Sequence, residues 1–466
     1  MTQRARIEYG FAGGRCNSDA IDNSAGVNTS DVEVNIKIAF GTAMRAGKLD
    51  RQERNRQLAA MTDDVAALVL RNNYLQTLAI SLAAARGFED FSFQQRLIQT
   101  LETAGLLNRK VEALPDDLAM AERQAAGRPL TRAEIGVLLA HAKISLYDEL
   151  VAGDGPDDPA IGAELFRYFP AAMHKPWRRE IEKHPLRREI IATVVANAMI
   201  NRGGPTFMTR VADRSGGTPS DIARAFFLVR EAFRIEELCA EIDALDTRVP
   251  GGTQLGLYLA IEELVLSRTL WFLRNLPLAG DLRPAIAVHA KAVTAIEKII
   301  PSGLPEALAA DLDAAARASV AAGVPEAIAV RLAALPILAD ATDIHLVAEK
   351  AGTKLARAAS VYFAVGEHFR IARIENAARR LPITDYYDGL ALDRALQRLA
   401  EAHRAIAAEA LAENAGHAAP FARWLDARQS VVERIVARVG QITEGDELNV
   451  SRVAVAANLL AELAKE

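Results

Sequence analysis

Between residues 63 and 86 apolar side chains recur at a helical interval. Val65, Leu68, Val69, Leu75, Leu78, Ala79 and Leu82 fall near one face of a 3.6-residue repeat, and Gly87 follows as a stop. Thr131-Arg132-Ala133-Glu134 stands before an apolar run from Ile135 to Leu150, the arrangement of a capping box. There the Thr hydroxyl takes a free amide of the first turn and the Glu reaches back to the cap. Gly153 to Pro159 is a turn-rich break, and a helix over 186–201 ends at Gly203-Gly204-Pro205. Pro219-Ser220-Asp221 opens a helix predicted to run to about Ala244, and Val249-Pro250-Gly251-Gly252 is a second break. Gly303-Leu304-Pro305-Glu306-Ala307 returns as Gly323-Val324-Pro325-Glu326-Ala327, which predicts two consecutive short helices rather than a solenoid. Strand-like alternation is scarce. The pattern predicts an almost wholly helical chain from residue 60 onward, with any strand confined to the first thirty residues.

Composition narrows the class. The chain has 466 residues, half of them hydrophobic and a quarter charged, enough apolar material for two or three globular domains. It carries 55 Lys and Arg against 60 Asp and Glu, a net charge of -5. A general nucleic-acid binder needs a basic excess to neutralise phosphates, so nucleic acid is not an expected partner. Two distant cysteines, Cys16 and Cys239, offer neither metal-ligand spacing nor a disulfide framework and fit a reducing cytoplasm. No apolar run follows the N-terminus as in a signal peptide, and none reaches the roughly twenty residues of a membrane span. The eight histidines form no H-E-x-x-H or Cys/His cluster, so no metal site is expected.

The segment from Gly13 to Asn35 is glycine-bearing, polar and unlike the alanine-rich remainder. Small and amide residues (Asn17, Ser18, Asn23, Ser24, Gly26, Asn28) crowd together, and a helix is then predicted to begin at Ser30. Such a loop lets backbone approach a ligand closely, and the free amides of the following helix favour an anion such as a carboxylate. A second reading needs no ligand. Ser30-x-x-Glu33 is itself a capping box, and Asn23, Gly26 and Asn28 are ordinary turn formers. The two are compatible, since a capped helix end can still offer amides.

Asn23-x-x-Gly26-Val27-x-x-Ser30-x-x-Glu33 resembles the Asn-Ala-Gly-Gly-Val-x-x-Ser-x-x-Glu signature near the end of amino-acid dehydrogenases of the glutamate type. Its longer form, from Asn17 through Asp19-Ala20-Ile21-Asp22-Asn23 and Ser30-Asp31 to Ile38, looks like the large bacterial NAD-specific glutamate dehydrogenases. Three further blocks look like the helical C-terminal domain of that family: Thr131 to Ile144, Leu186 to Phe207, and Ala333-Ala334-Leu335-Pro336 with Asp343-Ile344. The resemblance implies a mainly α fold, a multi-helix C-terminal region preceded by a short tail segment of an α/β dehydrogenase catalytic domain. It makes 1–55 the catalytic-domain remnant, and the break at Val249-Pro250-Gly251-Gly252 divides the rest into two helical regions, 56–248 and 249–466.

The implied reaction converts L-glutamate, NAD and water to 2-oxoglutarate, ammonia and NADH. Asn23 matches the asparagine beside the nicotinamide. Ser30 matches the serine that helps hold the substrate carboxylate, with Gly26 and Val27 shaping that wall. Ser24 and Ala25 depart from the smaller enzymes of the family and suit the large class, while Cys16, Asn28 and Val32 are local variants. The family's catalytic lysine and aspartate motifs lie upstream of the signature, so no catalytic residue is assigned within this chain. A dinucleotide site needs G-x-G-x-x-G between strand and helix, and Gly10-x-x-Gly13-Gly14 and Gly251-Gly252-x-x-x-Gly256 have the wrong spacing. The chain alone is therefore expected to be inactive and not to bind NAD, with residues 1–30 loosely packed. Its expected partners are the rest of the catalytic domain and further copies of itself. The rival reading is a stand-alone helical scaffold or regulatory protein descended from the enzyme.

Three other features bear on function. The stretch from His174 to Glu189 is locally basic and reads as a solvated helix face with internal ion pairs, contact with another domain being the sharper alternative. His141 with Lys143 interrupts an apolar helix and reads as structural rather than as an interface. Trp271 and Phe272 sit in an apolar run and read as core.

Overall fold

The computed structural model describes residues 1–381, 383, 385–443 and 448–464. It contains no strand among those residues, the first fifty included, so the chain is a mainly α, multi-helix protein throughout. By compactness it forms two units, Met1–Arg230 with Val265–Pro284, and Glu231–Leu264 with Ala285–Glu466. No described helix is long and apolar enough to cross a membrane.

Five helices organise the part of the first unit that matters below: α1 (Gln3–Phe11), α2 (Ser24–Arg45), α3 (Thr62–Arg86), α4 (Arg132–Ala152) and α5 (Arg187–Gly203). The periodic stretch over 63–86 is α3, with Val65, Val69, Ala79 and Leu82 buried and Gly87 ending it at φ +53°. The capping box in front of α4 is formed in full. Thr131 Oγ1 accepts from the Glu134 amide, and Glu134 Oε2 accepts from the Thr131 amide at 2.8 Å. Glu134 is completely buried, and Arg123 supplies the opposing charge at 2.7 Å. A carboxylate taken out of water needs such a pairing, because an unpaired one would cost several kcal/mol. Gly204, at φ +82°, caps α5 where the sequence places the stop. α4 and α5 pack along each other and both lean on α3, making the centre of this unit.

The second unit is built around α7 (Tyr386–Glu413), which lies along α8 (Val450–Leu463) and α6 (Leu355–His368). Ala395, Ala402, Ala407 and Ala410 on the buried face of α7 keep the helices close. His403 is sealed there, stacked on Tyr362 at 3.6 Å and bonded through Nε2 to the Tyr362 carbonyl at 2.8 Å. Its pKa is pushed down to about 4 by burial, so it is a neutral core histidine. The Gly-x-Pro-Glu-Ala echo gives two packed helices, Glu306–Ala321 and Glu326–Ala333, each with its proline at the N-cap.

One helix differs from its predicted extent. The run opening at Pro219 stops at Ala232 and restarts as Ile235–Asp243. The chain turns at Arg234, a non-glycine residue at φ +52°. No Gly or Pro marks the turn, which buries Phe233 and Ile235 on either side of it. Arg234, ion-paired with Glu297, stays at the surface of the turn.

Candidate functional site

The predicted start of α2 is corrected by six residues. The helix begins at Ser24, directly after a single turn over Asp19–Asp22, so Ser30 lies two turns inside it. The Ser30/Glu33 capping box does not form, and Glu33 instead pairs with Lys37 one turn on at 3.0 Å. Residues 24–29 (Ser, Ala, Gly, Val, Asn, Thr) are mostly weak helix formers, which is why they read as loop. Tertiary bonds outweigh that preference. Ser24 Oγ donates to Asn73 Oδ1 at 2.8 Å and Asn72 Nδ2 to Asn28 Oδ1 at 2.9 Å, tying the first turns of α2 to α3.

On a helix, positions i, i+3, i+4 and i+7 share a face. Asn23, Gly26, Val27 and Ser30 occupy those positions at the start of α2, and all four are exposed. Val27 is 64 % exposed and Val34, one turn beyond Ser30, is 48 % exposed. Neither the Ser30 hydroxyl nor the Asn23 amide has a hydrogen-bond partner among the described residues. Gly26 has room to spare, since a methyl group added there would meet only Asn23 Oδ1, at 3.5 Å. Asn23 and Val27 also border a recess of about 370 Å³ whose other walls carry the amides of Asn28, Asn72, Gln76 and Asn197 and the carboxylates of Asp19 and Asp31. Gly26 and Ser30 lie outside that recess, along the open stripe.

The opposite face of α2 is sealed. Val32, Ile36, Ala39, Phe40 and Ala43 are buried there. Each such large apolar side chain contributes about 1.5–3 kcal/mol when fully removed from water. Much of that seal comes from the inner side of the basic stretch after His174, whose Lys175, Arg178, Arg179, Glu182 and Lys183 form the expected solvated face, with Arg178 and Glu182 ion-paired at 2.8 Å. The Trp177 ring meets Phe40 edge-on at 5.3 Å, and its indole N–H donates to Gln57 at 2.9 Å. Buried Glu180 takes Lys48 at 2.7 Å. His184 accepts the Leu186 amide on Nδ1 and donates from Nε2 to the Asn35 carbonyl at 3.1 Å. That fixes its neutral tautomer, and burial holds its pKa below the usual histidine value. Asn35 Nδ2 donates to the Tyr168 hydroxyl at 2.9 Å.

Hydrogen bonds anchor the residues before α2. Arg6 on α1 donates to the Asn17 carbonyl, Asp22 and Asp19 at 2.9, 2.7 and 2.8 Å. Asn17 receives two bonds from Arg132 at the start of α4, at 3.1 and 2.9 Å. Burial, then repulsion from Arg15, lowers the Arg132 pKa. The loop presses so closely on α4 that a Cβ at Gly136 would sit 2.9 Å from Ser18 Oγ. α4 thus anchors the segment at Asn17 and Ser18, while of residues 1–30 Ile7, Ser18 and Ile21 are the buried ones and the rest are exposed or half-buried. Sequence reasoning missed these anchors. Arg6, Asn17 and Arg132 are far apart in the chain, and no local spacing marks them.

No group of three or more His, Cys, Asp or Glu among the described residues is placed to hold a metal ion.

Two family models match the chain. One, described as the catalytic domain of bacterial NAD-glutamate dehydrogenase, covers residues 1–83, and one described as glutamate dehydrogenase, C-terminal, covers residues 127–462. The NAD-specific glutamate dehydrogenases of Halomonas elongata and Pseudomonas aeruginosa are each 34% identical over 468 positions, spanning 100% of this chain and 29% of the relative. That of Mycobacterium tuberculosis is 31% identical over 396 positions, spanning 84% of this chain and 24% of the relative. The chain thus spans under a third of the length of the relatives it matches.

Proposed function

The chain belongs to the C-terminal region of the bacterial NAD-specific glutamate dehydrogenase family, and from that premise we propose that the exposed stripe of α2 is one wall of a glutamate-oxidising site. The reaction is hydride transfer from L-glutamate to NAD, with water releasing ammonia and 2-oxoglutarate. Ser30 donates its hydroxyl to a substrate carboxylate. Gly26 and Val27 form the surface against which the substrate lies, and Asn23 contacts the nicotinamide end of the cofactor. The remaining walls, with the catalytic lysine and aspartate and the dinucleotide cradle, belong to catalytic-domain sequence of the kind the longer relatives carry. The helices beyond residue 55 support, regulate or assemble the enzyme as a homo-oligomer in the cytoplasm.

The observation that supports this reading is the division of α2 into a sealed back and an open stripe. The four signature positions share that stripe, with unpaired polar groups and two exposed valines. A face of this kind is open to a partner surface, since its polar groups are free to bond outward and its valines to be covered. Since Ser30 is not a cap, its role rests on the hydroxyl alone.

The test is Ser30→Ala in an enzyme comprising this chain and the rest of the catalytic domain. A hydrogen bond to a charged group is worth about 1.5–3 kcal/mol, so the KM for glutamate should rise about tenfold or more while that for NAD holds. An exposed, non-capping serine should leave stability within about 0.5 kcal/mol. An unchanged KM for glutamate rules out the assignment.

A further inference from the structure

A second recess of the first unit, about 330 Å³, lies between the end of α1 and the approach to α4, with Gly10, Phe11, Gly14, Cys16, Arg128 and Arg132 on its walls. None of its lining residues is acidic. Arg128 is exposed, its guanidinium lies 4.7 Å from the centre of the Phe11 ring, and its side chain has no hydrogen-bond or carboxylate partner among the described residues. Arg132 directs its N–H groups to neutral acceptors, Asn17 Oδ1 and Ser81 Oγ, and pairs with no carboxylate there either. Burial and then the charge of Arg15 hold Arg132 below its ordinary pKa, which puts Arg15 within electrostatic reach of the recess. The acidic groups nearby are already matched. Buried Glu134 pairs with Arg123 at 2.7 Å, and Asp22 with Arg6 at 2.7 Å. Arginines 15, 128 and 132 thus gather at one recess with no carboxylate bonded to any of them.

We propose that this recess binds a phosphate dianion, either inorganic phosphate or the end of a phosphomonoester, with Arg128 as the contacting fork and Arg15 and Arg132 supplying the surrounding positive charge. A guanidinium presents paired N–H groups that match two phosphate oxygens, and such bonds are charge-assisted. The Phe11 ring supports the face of the Arg128 guanidinium and leaves its N–H groups free to bond outward. A terminal phosphate carries nearly two negative charges at neutral pH, against one for a carboxylate, so it gains more from a cluster of cations. The volume lies at the small end of ligand sites and suits a phosphate with a few further atoms. The phosphates of NAD are diesters with a single charge each, so the recess does not supply the cradle that a dinucleotide needs. The proposal stands on this recess and not on the reading of α2.

The 466-residue chain is the test material, with inorganic phosphate, glycerol 3-phosphate, acetate and NAD as probes in calorimetric titration. Cys16 gives a local readout. It lines the recess whereas Cys239 is buried, so the rate of Cys16 alkylation by iodoacetamide, followed by mass spectrometry, reports on the recess itself. Inorganic phosphate or glycerol 3-phosphate should bind saturably and slow that alkylation, and acetate and NAD should do neither. Tighter binding of glycerol 3-phosphate identifies a phosphomonoester as the ligand, and tighter binding of inorganic phosphate the free ion. Arg128→Gln should weaken binding by about tenfold or more, the worth of one hydrogen bond between charged groups. Arg15→Gln should weaken it less, since Arg15 contributes charge without contact. Arg51→Gln removes an exposed arginine that does not line the recess and should leave the affinity unchanged. All three positions are exposed, so the variants should fold as the parent does. Absence of saturable phosphate binding, undiminished binding in Arg128→Gln, an equal loss in Arg51→Gln, or alkylation of Cys16 at the same rate with and without phosphate would each overturn the proposal.

Discussion

Gly26 poses a question that this chain does not answer by itself. Within a helix, glycine costs about 1 kcal/mol relative to alanine. Nothing packed against Gly26 requires it, since an added methyl group meets only Asn23 Oδ1 at ordinary distance. In the proposed reading its use lies in what approaches the open face. Gly26→Ala should therefore raise the stability of the isolated chain by about 0.5–1 kcal/mol in denaturant melts. In an enzyme with the whole catalytic domain the same change should lower kcat/KM for glutamate. Loss of stability in the isolated chain would show that the glycine serves the fold instead.

Lys143 gives a residue-scale prediction of opposite character. Its folded pKa is about 7 against an ordinary value of 10.5. Between those values the unfolded chain holds a proton that the folded chain lacks, so stability rises with pH across that window. Below about pH 7 the amine is charged in both states and its burial penalty is fully present. Lys143→Met should melt above the parent at about pH 6, with a margin that shrinks as the pH is raised toward about 10. Calorimetric scans across that range test it. A margin independent of pH would mean that the ammonium is solvated or paired in the folded chain.

At the scale of elements, what the sequence announced was mostly punctuation. Gly87, Gly204 and the Thr131/Glu134 box end and begin helices through local chemistry, and they do so where expected. Two features had no local signal. The early start of α2 depends on bonds from Ser24 and Asn28 to α3, and weak local propensity concealed it. The break at Arg234 depends on burying both neighbours of a left-handed residue. The stretch after His174 is solvated on its charged side as expected, but its inner side had no local signal. Its charges are conspicuous, but Trp177, Glu180 and His184 face inward and clamp the back of α2. The signature residues were legible by resemblance, whereas the fact that they form one open stripe depends on where α2 begins. Trp177→Ala removes an edge-on aromatic contact and an indole hydrogen bond, together worth about 1–3 kcal/mol. A melting temperature lowered accordingly is expected, with Trp177→Phe losing only the hydrogen-bond share. Equal losses in both variants would mean that the ring contact with Phe40 contributes nothing.

The molecule as a whole separates what a site needs into what this chain holds and what it does not. NAD binding requires a phosphate cradle, for which strand, tight glycine turn and helix N-terminus must meet. The described residues contain no strand, and no glycine pattern in the sequence has the required spacing. Hydride transfer requires the substrate carbon held in register with the nicotinamide, and effective concentrations of that kind come from several walls acting together. In the proposed reading the stripe on α2 is one of them: a hydroxyl, an amide and an apolar shelf, all open to solvent. A single carboxylate bond on such a surface competes with water and contributes only about 0.5–1.5 kcal/mol net when exposed. That is far from the roughly 8 kcal/mol of a micromolar complex. The 466-residue chain should therefore give no saturable heat with NAD in calorimetric titration, and no NADH absorbance with NAD and glutamate together. In an enzyme that joins this chain to a whole catalytic domain both should be present, with Asn23→Ala then weakening NAD and Ser30→Ala weakening glutamate. Micromolar NAD binding or steady turnover by the chain alone would place a cofactor site among the helices and remove the reason for assigning α2 only one wall.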